Sequence, residues 1–276
     1  MLSRNRFGRT LAVGFGLLLG ASLLQAAPAS ATTGAYDAEY TTHFTLWGHT
    51  VYRPVDLPEN EDLPIVAWGN GACRADGTWF ENILTEFASH GYLVIANGRP
   101  GGSGSTDAEM LTDAIDWAEG RNTSFFSEYR GHLDTDSIAV MGQSCGGLET
   151  YDVADDPRID TTVIWNSGMF SDADPNRLDH LHAPIAYFTG GPSDIAYENA
   201  LNDWDDLPSG LPAFMGHLDV GHYGTFEETD GGEYGQVGVA WLDWQLKGDQ
   251  TAAQQFVGSN CGLCVDPDWD TDQKNL

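Results

Sequence analysis

The stretch Ile138-Ala139-Val140-Met141-Gly142-Gln143-Ser144-Cys145-Gly146-Gly147 decides the fold. Its first four residues form a continuous apolar run with β-branched members, the pattern of a strand buried on both faces. The remaining six hold a serine between two glycines in the spacing G-x-S-x-G, and a helical pattern over 145–153 begins directly behind the serine. A strand that turns this abruptly into a helix keeps its central residue in a strained backbone conformation, and a side chain at either flanking glycine would collide with a neighbouring element. Ser144 is therefore expected at the end of a strand and over a helix N-terminus, where developing negative charge is favoured. That makes it the candidate nucleophile.

Outward from this motif, short apolar runs alternate with helical patterns. Residues 40–54, rich in Thr, Val and aromatic side chains, predict an opening antiparallel pair of strands. Strands are predicted over 64–68, 92–96, 138–141, 161–165, 184–189 and 211–215, and helices over 79–90, 108–118, 145–153 and 234–246. The alternation implies an α/β fold with a mostly parallel sheet and helices on both faces, and the G-x-S-x-G turn behind a strand makes the α/β-hydrolase type the expectation. Reactive groups should gather at the carboxyl ends of its strands.

A serine hydroxyl attacks only when a base accepts its proton and a carboxylate orients that base. In this fold the order along the chain is serine, acid, histidine. Asp194 follows the strand over 184–189 and is the expected acid; its bland reading is a cap for a helix starting at Ile195. Asp172 and Asp174 are its rivals but follow the preceding strand. His222, in the flexible run Gly221-His222-Tyr223-Gly224, is the expected base, with His217 as a wall or supporting residue. His180 and His182 stand two apart, yet no third ligand accompanies them, and no metal site is expected. The backbone N–H groups of Cys145 and Asn70 are the expected oxyanion donors.

Four cysteines allow three pairings. Cys73 and Cys145 belong to the two segments that should converge on the oxyanion hole, and Cys261 and Cys264 are near neighbours, so the bonds expected are Cys73–Cys145 and Cys261–Cys264. The spacing of the second pair is also that of a redox motif, but the βαβ context is missing.

Arg4, Arg6 and Arg9 precede an apolar run from Leu11 to Leu24, and Ala29-Ser30-Ala31 supplies a small-residue cleavage signature. Residues 1–31 thus read as an export signal and 32–276 as one catalytic domain. The run is shorter than the roughly 20 apolar residues a membrane span requires. The leader carries three of the 12 basic residues and no acid, leaving nine against 41, a net charge near −32. Such a surface repels nucleic acid and anionic lipid, and its self-repulsion is relieved by salt, which suits a saline habitat.

Several landmarks are similar to the secreted cutinase-like polyester hydrolases, the bacterial group that includes poly(ethylene terephthalate) hydrolases. They are Ala88-Ser89-His90-Gly91-Tyr92-Leu93-Val94-Ile95, the motif around Ser144, Asp194-Ile195-Ala196, Gly221-His222, and Gly238-Val239-Ala240-Trp241-Leu242. The resemblance implies a lidless fold with a shallow surface cleft, ester hydrolysis and no cofactor; an ester or polyester substrate and a monomer are expected. Two positions depart from the pattern: Asn70 replaces an aromatic residue and Cys145 a methionine. Trp165 and Met169 are the expected apolar, substrate-binding wall, with a place in the core as the other reading of Trp165.

Two other readings share these residues: a feruloyl or acetylxylan-type esterase with a deeper, more polar pocket, and a non-catalytic binding module with a decayed site. An intact Ser144, Asp194 and His222 argue against the second. The segment Asp266-Pro267-Asp268-Trp269-Asp270-Thr271-Asp272 begins like a calcium loop but lacks its glycine and distal glutamate, so a solvated acidic tail is expected.

Overall fold

A nine-stranded sheet runs through the described residues, 32–171 and 173–276, of the computed structural model. The expected export signal and the rival acid Asp172 lie outside them. The strands are β1 (Ala38–Thr41), β2 (His49–Pro54), β3 (Leu63–Gly69), β4 (Leu93–Asn97), β5 (Leu133–Gln143), β6 (Thr161–Trp165), β7 (Ile185–Thr189), β8 (Ala213–Leu218) and β9 (Trp269–Lys274). Their order across the sheet is β1-β2-β4-β3-β5-β6-β7-β8-β9. The six central strands, β4 to β8 in that order, are parallel; β1, β2 and β9 pair antiparallel at the two sides. This is a mixed α/β architecture with a mostly parallel sheet.

The helices are α1 (Glu81–Ser89), α2 (Glu109–Thr123), α3 (Cys145–Val153), α4 (Tyr197–Asp206), α5 (Gly232–Lys247), and the short α6 (Gln250–Ala253) and α7 (Gly262–Val265). Because side chains alternate along a strand, each central strand feeds two cores. Trp68, Met141, Trp165 and Phe188 point into one, with Phe87 of α1 and Trp241 of α5. Ala67 and Val140 face α2 on the opposite side, where Ile164 and Tyr187 meet Tyr151 of α3 and Trp204 of α4. The central strands are buried on both faces, which is why they read as unbroken apolar runs.

Every predicted strand and helix is present; β6 and α3 have the predicted bounds and the others have shifted ends. β8 starts two residues later than expected and continues through His217. Two elements depart from expectation. Residues 197–206 form α4, which buries Ala200 and Trp204. The acidic C-terminal segment is not a solvated tail: β9 pairs along the whole of β8, and its Trp269 is only 6% exposed. The reason is a period of two, with Asp270 and Asp272 outward and Trp269 inward. Trp204 Nε1 donates to Asp272 Oδ2 at 3.1 Å, and the Lys274 ammonium donates to the Trp204 carbonyl and lies over its ring.

Both expected disulfides are formed. Cys73–Cys145 joins the loop after β3 to the first residue of α3, with Cα atoms 5.1 Å apart, and Cys261–Cys264 closes a single turn beside β9. Among the described residues no helix is long and apolar enough to cross a membrane.

Candidate active site

Strand β5 ends at Gln143 and α3 begins at Cys145, so Ser144 alone makes the turn, at φ 52° and ψ −115°. A non-glycine residue rarely adopts such a conformation. Here the surroundings enforce it. Ser144 N–H donates to the Trp165 carbonyl at 3.0 Å, and Ser167 Oγ donates to the Ser144 carbonyl at 2.6 Å. A Cβ on Gly142 would stand 2.2 Å from the Gly146 carbonyl oxygen, and one on Gly146 would meet the Gly69 backbone at 2.1 Å. Both glycines of the motif are thus required by backbone contact.

The serine hydroxyl faces His222, with Oγ 3.1 Å from Nε2. On the other side of the ring, Nδ1 lies 2.7 Å from Asp194 Oδ1. These three residues come from the loops after β5, β7 and β8, at the carboxyl ends of parallel strands, as expected. Asp194 is 4% exposed, and its carboxylate also accepts from the N–H of Ala196 (2.9 Å) and Gly190 (3.0 Å) and from Asn166 Nδ2 (2.9 Å). Burial pushes its carboxyl up, but the bonds from His222, Ala196, Gly190 and Asn166 outweigh that and hold it below the ordinary value. The local capping role and the partnership with His222 coexist in one carboxylate. Of its rivals, Asp174 caps the turn Pro175–His180 through Asn176 N–H, and Asp172 is outside the described residues.

The histidine loop is pinned from two directions. Gln143 Nε2 donates to the His222 carbonyl at 3.0 Å, and Asn166 Nδ2 also reaches the Gly221 carbonyl at 3.2 Å. Gly190 and Gly221 pack so closely that a Cβ on Gly190 would stand 1.9 Å from the Gly221 oxygen. Asn166 escaped the sequence reading. Its signal was an asparagine directly behind a buried strand, a residue that tolerates left-handed backbone; its φ is 43°.

Beside the serine lies an open cleft of about 160 Å³ lined by Cys145, Leu148, Phe170, Ile195 and Asn199, with Ser144 and His222 at one end. Its apolar wall differs from the expected one. Trp165 is fully buried, packed against Phe188, Phe226 and Tyr234, and Met169 is 8% exposed in the core beside α4. Strand alternation turns Trp165 inward. Phe170 and Ile195, 62% and 81% exposed, form the wall instead.

Of the two expected donors, Cys145 lines the cleft, and its N–H opens α3, where helical geometry leaves it without an intrahelical acceptor. Asn70 comes close, since a Cβ on Gly146 would stand 2.7 Å from Asn70 N, but Asn70 is fully buried and does not line the cleft. Its side chain accepts from Trp68 Nε1 and donates to the carbonyls of Arg74, Asp76 and Asn97, tying the loop after β3 to β4. His217 is also elsewhere. It hydrogen-bonds Thr189 Oγ1 at 2.6 Å, packs on Tyr197, and faces a separate hollow with Asp219 and Asp270. His180 and His182 are exposed, and among the described residues no three ligating side chains are grouped to hold a metal.

The arrangement can move a proton from Ser144 Oγ to His222 Nε2 while Asp194 fixes the ring and balances the charge it gains. No protein-family model matches the chain, and no curated protein matches it.

Proposed function

We propose that this chain is a secreted serine carboxylic-ester hydrolase of the cutinase or polyester-hydrolase type, built on an α/β-hydrolase fold. The observation that carries the reading is the continuous hydrogen-bonded line Ser144–His222–Asp194 beneath an open apolar cleft. The chain order supports the fold, because the serine, acid and histidine follow the parallel strands β5, β7 and β8 in the order that such enzymes use. Two disulfides support an oxidising compartment.

In the reaction, Ser144 Oγ attacks the ester carbonyl carbon as its proton passes to His222 Nε2. Nδ1–H donates to Asp194 throughout, which keeps the ring in the tautomer that presents a free Nε2. Negative charge then develops on the carbonyl oxygen, within reach of the Cys145 N–H and the N-terminal end of α3. The intermediate collapses when His222 returns the proton to the leaving alkoxide, giving an acyl-serine and an alcohol. Water attacks that acyl group in turn, with His222 again as base.

Labelling by a fluorophosphonate probe, mapped to Ser144, together with cleavage of a short-chain nitrophenyl ester, tests the reading. Ser144→Ala should abolish both while leaving the fold intact, and His222→Ala should cost nearly as much, with His217→Ala close to neutral. A Ser144→Ala protein that still cleaves esters overturns the assignment.

A further inference from the structure

A second hollow, of about 510 Å³, is separate from the cleft beside Ser144. It lies at the same sheet edge, over the carboxyl end of β4, between the loops after β3 and β4 and the start of α2. Its walls include Trp47, Arg99, Ser103, Ser105 and Met110. No Asp or Glu lines it, in a chain with 41 of them.

Arg99 is the cation in this trough. Its guanidinium lies 4.1 Å from the ring centroid of Trp47, which is itself 76% exposed. Among the described residues it forms no ion pair and no side-chain hydrogen bond. The acid nearest to it across the loop pairing, Asp76, is spent elsewhere: it accepts from Thr78, from Gly101 N–H and from Arg74. Stacking on the indole leaves the planar fork of N–H donors open at its edge, the geometry that takes a carboxylate.

The frame around it is fixed. Gly98 presses on Ala75 so closely that a Cβ there would stand 2.3 Å from the Ala75 carbonyl carbon, and His49 holds the Met110 carbonyl at 2.9 Å. One wall of the trough is tied to the nucleophile's turn. Ala75 is two residues from Cys73, whose Cα is 5.1 Å from that of Cys145, so chain geometry keeps the Ala75 Cα within about 13 Å of the Cys145 Cα.

We propose that the Trp47–Arg99 trough binds a free carboxylate on the substrate, so that hemiesters and carboxylate-terminated ester chains are the preferred substrate class; this rests on the ester-hydrolase reading above. A chain with a net charge of −29 repels anionic substrates at long range, and a fork of donors in an acid-free trough counters that repulsion locally.

The test is equilibrium binding of monomethyl glutarate and dimethyl glutarate, which differ by one charge, to the full Ser144→Ala chain by titration NMR. The hemiester should bind about tenfold more tightly, the gain expected from a hydrogen-bonded charge. Arg99→Ala should erase that ratio, and Arg99→Lys should keep only part of it. Arg99→Gln replaces the alanine variant if circular dichroism shows the latter misfolded. Equal affinities for the two esters, or displacement of the hemiester by xylobiose, overturn the proposal. Fluorophosphonate labelling of the unsubstituted chain separates the two readings. Labelled Ser144 without charge discrimination removes the trough alone, whereas discrimination without labelling removes the ester chemistry and leaves a carboxylate site.

Discussion

Asn166 and Asp194 meet at 2.9 Å, and the same amide nitrogen reaches the Gly221 carbonyl, so one side chain holds the acid and the loop that carries His222. Asn166→Ala should lower kcat about tenfold with little change in KM, since a hydrogen bond to a charged group is worth roughly 1.5 kcal/mol. It should also raise the Asp194 carboxyl toward its ordinary value. A depressed carboxyl contributes stability that is present above its unfolded pKa and lost as pH falls through the folded one. The midpoint of acid unfolding should therefore move to higher pH in the variant. Equal acid-unfolding curves would remove the bracing role.

Trp165 and Ile195 should separate stability from selectivity. Trp165→Ala empties a site against Phe188 and Tyr234 and should cost about 3–5 kcal/mol, read by denaturant unfolding. Ile195→Ala and Phe170→Ala remove exposed apolar wall and should raise KM for long acyl esters while leaving the unfolding midpoint nearly unchanged.

The contrast shows what the sequence made readable. Apolar runs marked every parallel strand, and the spacing around Ser144, with the expected chain order of acid and base, pointed to the three side chains that stand in hydrogen-bonded line. These are local patterns or topological rules. Which face of a strand end meets the cleft is not local: Trp165 is the last residue of β6 and points inward, while Phe170 and Ile195 sit on loops whose course depends on packing. Asn70 shows a related limit, because its place in the chain suggested a donor while its side chain had four partners to satisfy. The C-terminal acids concealed β9, since outward charges dominate a strand whose one anchor is Trp269.

Glu149, on α3 five residues behind the nucleophile, is 5% exposed. Burial lifts its carboxyl above the ordinary value, and the bonds from Thr106 and Asn97 offset only part of that. Its contribution to stability is therefore fully present below the unfolded carboxylate pKa and lost as pH rises through the folded value. The gain in Tm from Glu149→Gln should vanish near about pH 4, the ordinary carboxylate range, and grow as pH rises above it. A gain independent of pH would count against burial as the cause.

Cys73–Cys145 ties the Asn70 loop to a residue that lines the cleft and opens α3. Replacing both cysteines by alanine should lower kcat more than it raises KM, by up to the roughly 3 kcal/mol that one oxyanion donor supplies. Replacing Cys261 and Cys264 should leave kinetics alone. Turnover unchanged in the first variant would show that the bond serves stability only.

Charge gives the last expectation. With 12 basic residues against 41 acidic ones, Tm should rise with salt from about 0.01 to 1 M, as the screening length falls from about 30 to 3 Å, and then flatten. A flat response throughout would argue against repulsion as a limit on stability.

Strand β9 also decides how copies of this protein behave toward one another. Without it, β8 would present Ala213-Phe214-Met215-Gly216-His217-Leu218, apolar and nearly buried, with a row of unpaired backbone donors and acceptors. Such an edge recruits the same edge of another molecule and begins a stack. What the sheet offers outward instead is a short strand with exposed Asp270 and Asp272, held beside a disulfide-closed turn, whose like charges meet when two molecules align. The final eight residues thus guard against fibril growth, and a chain cut before Trp269 would retain its triad yet be prone to polymerise.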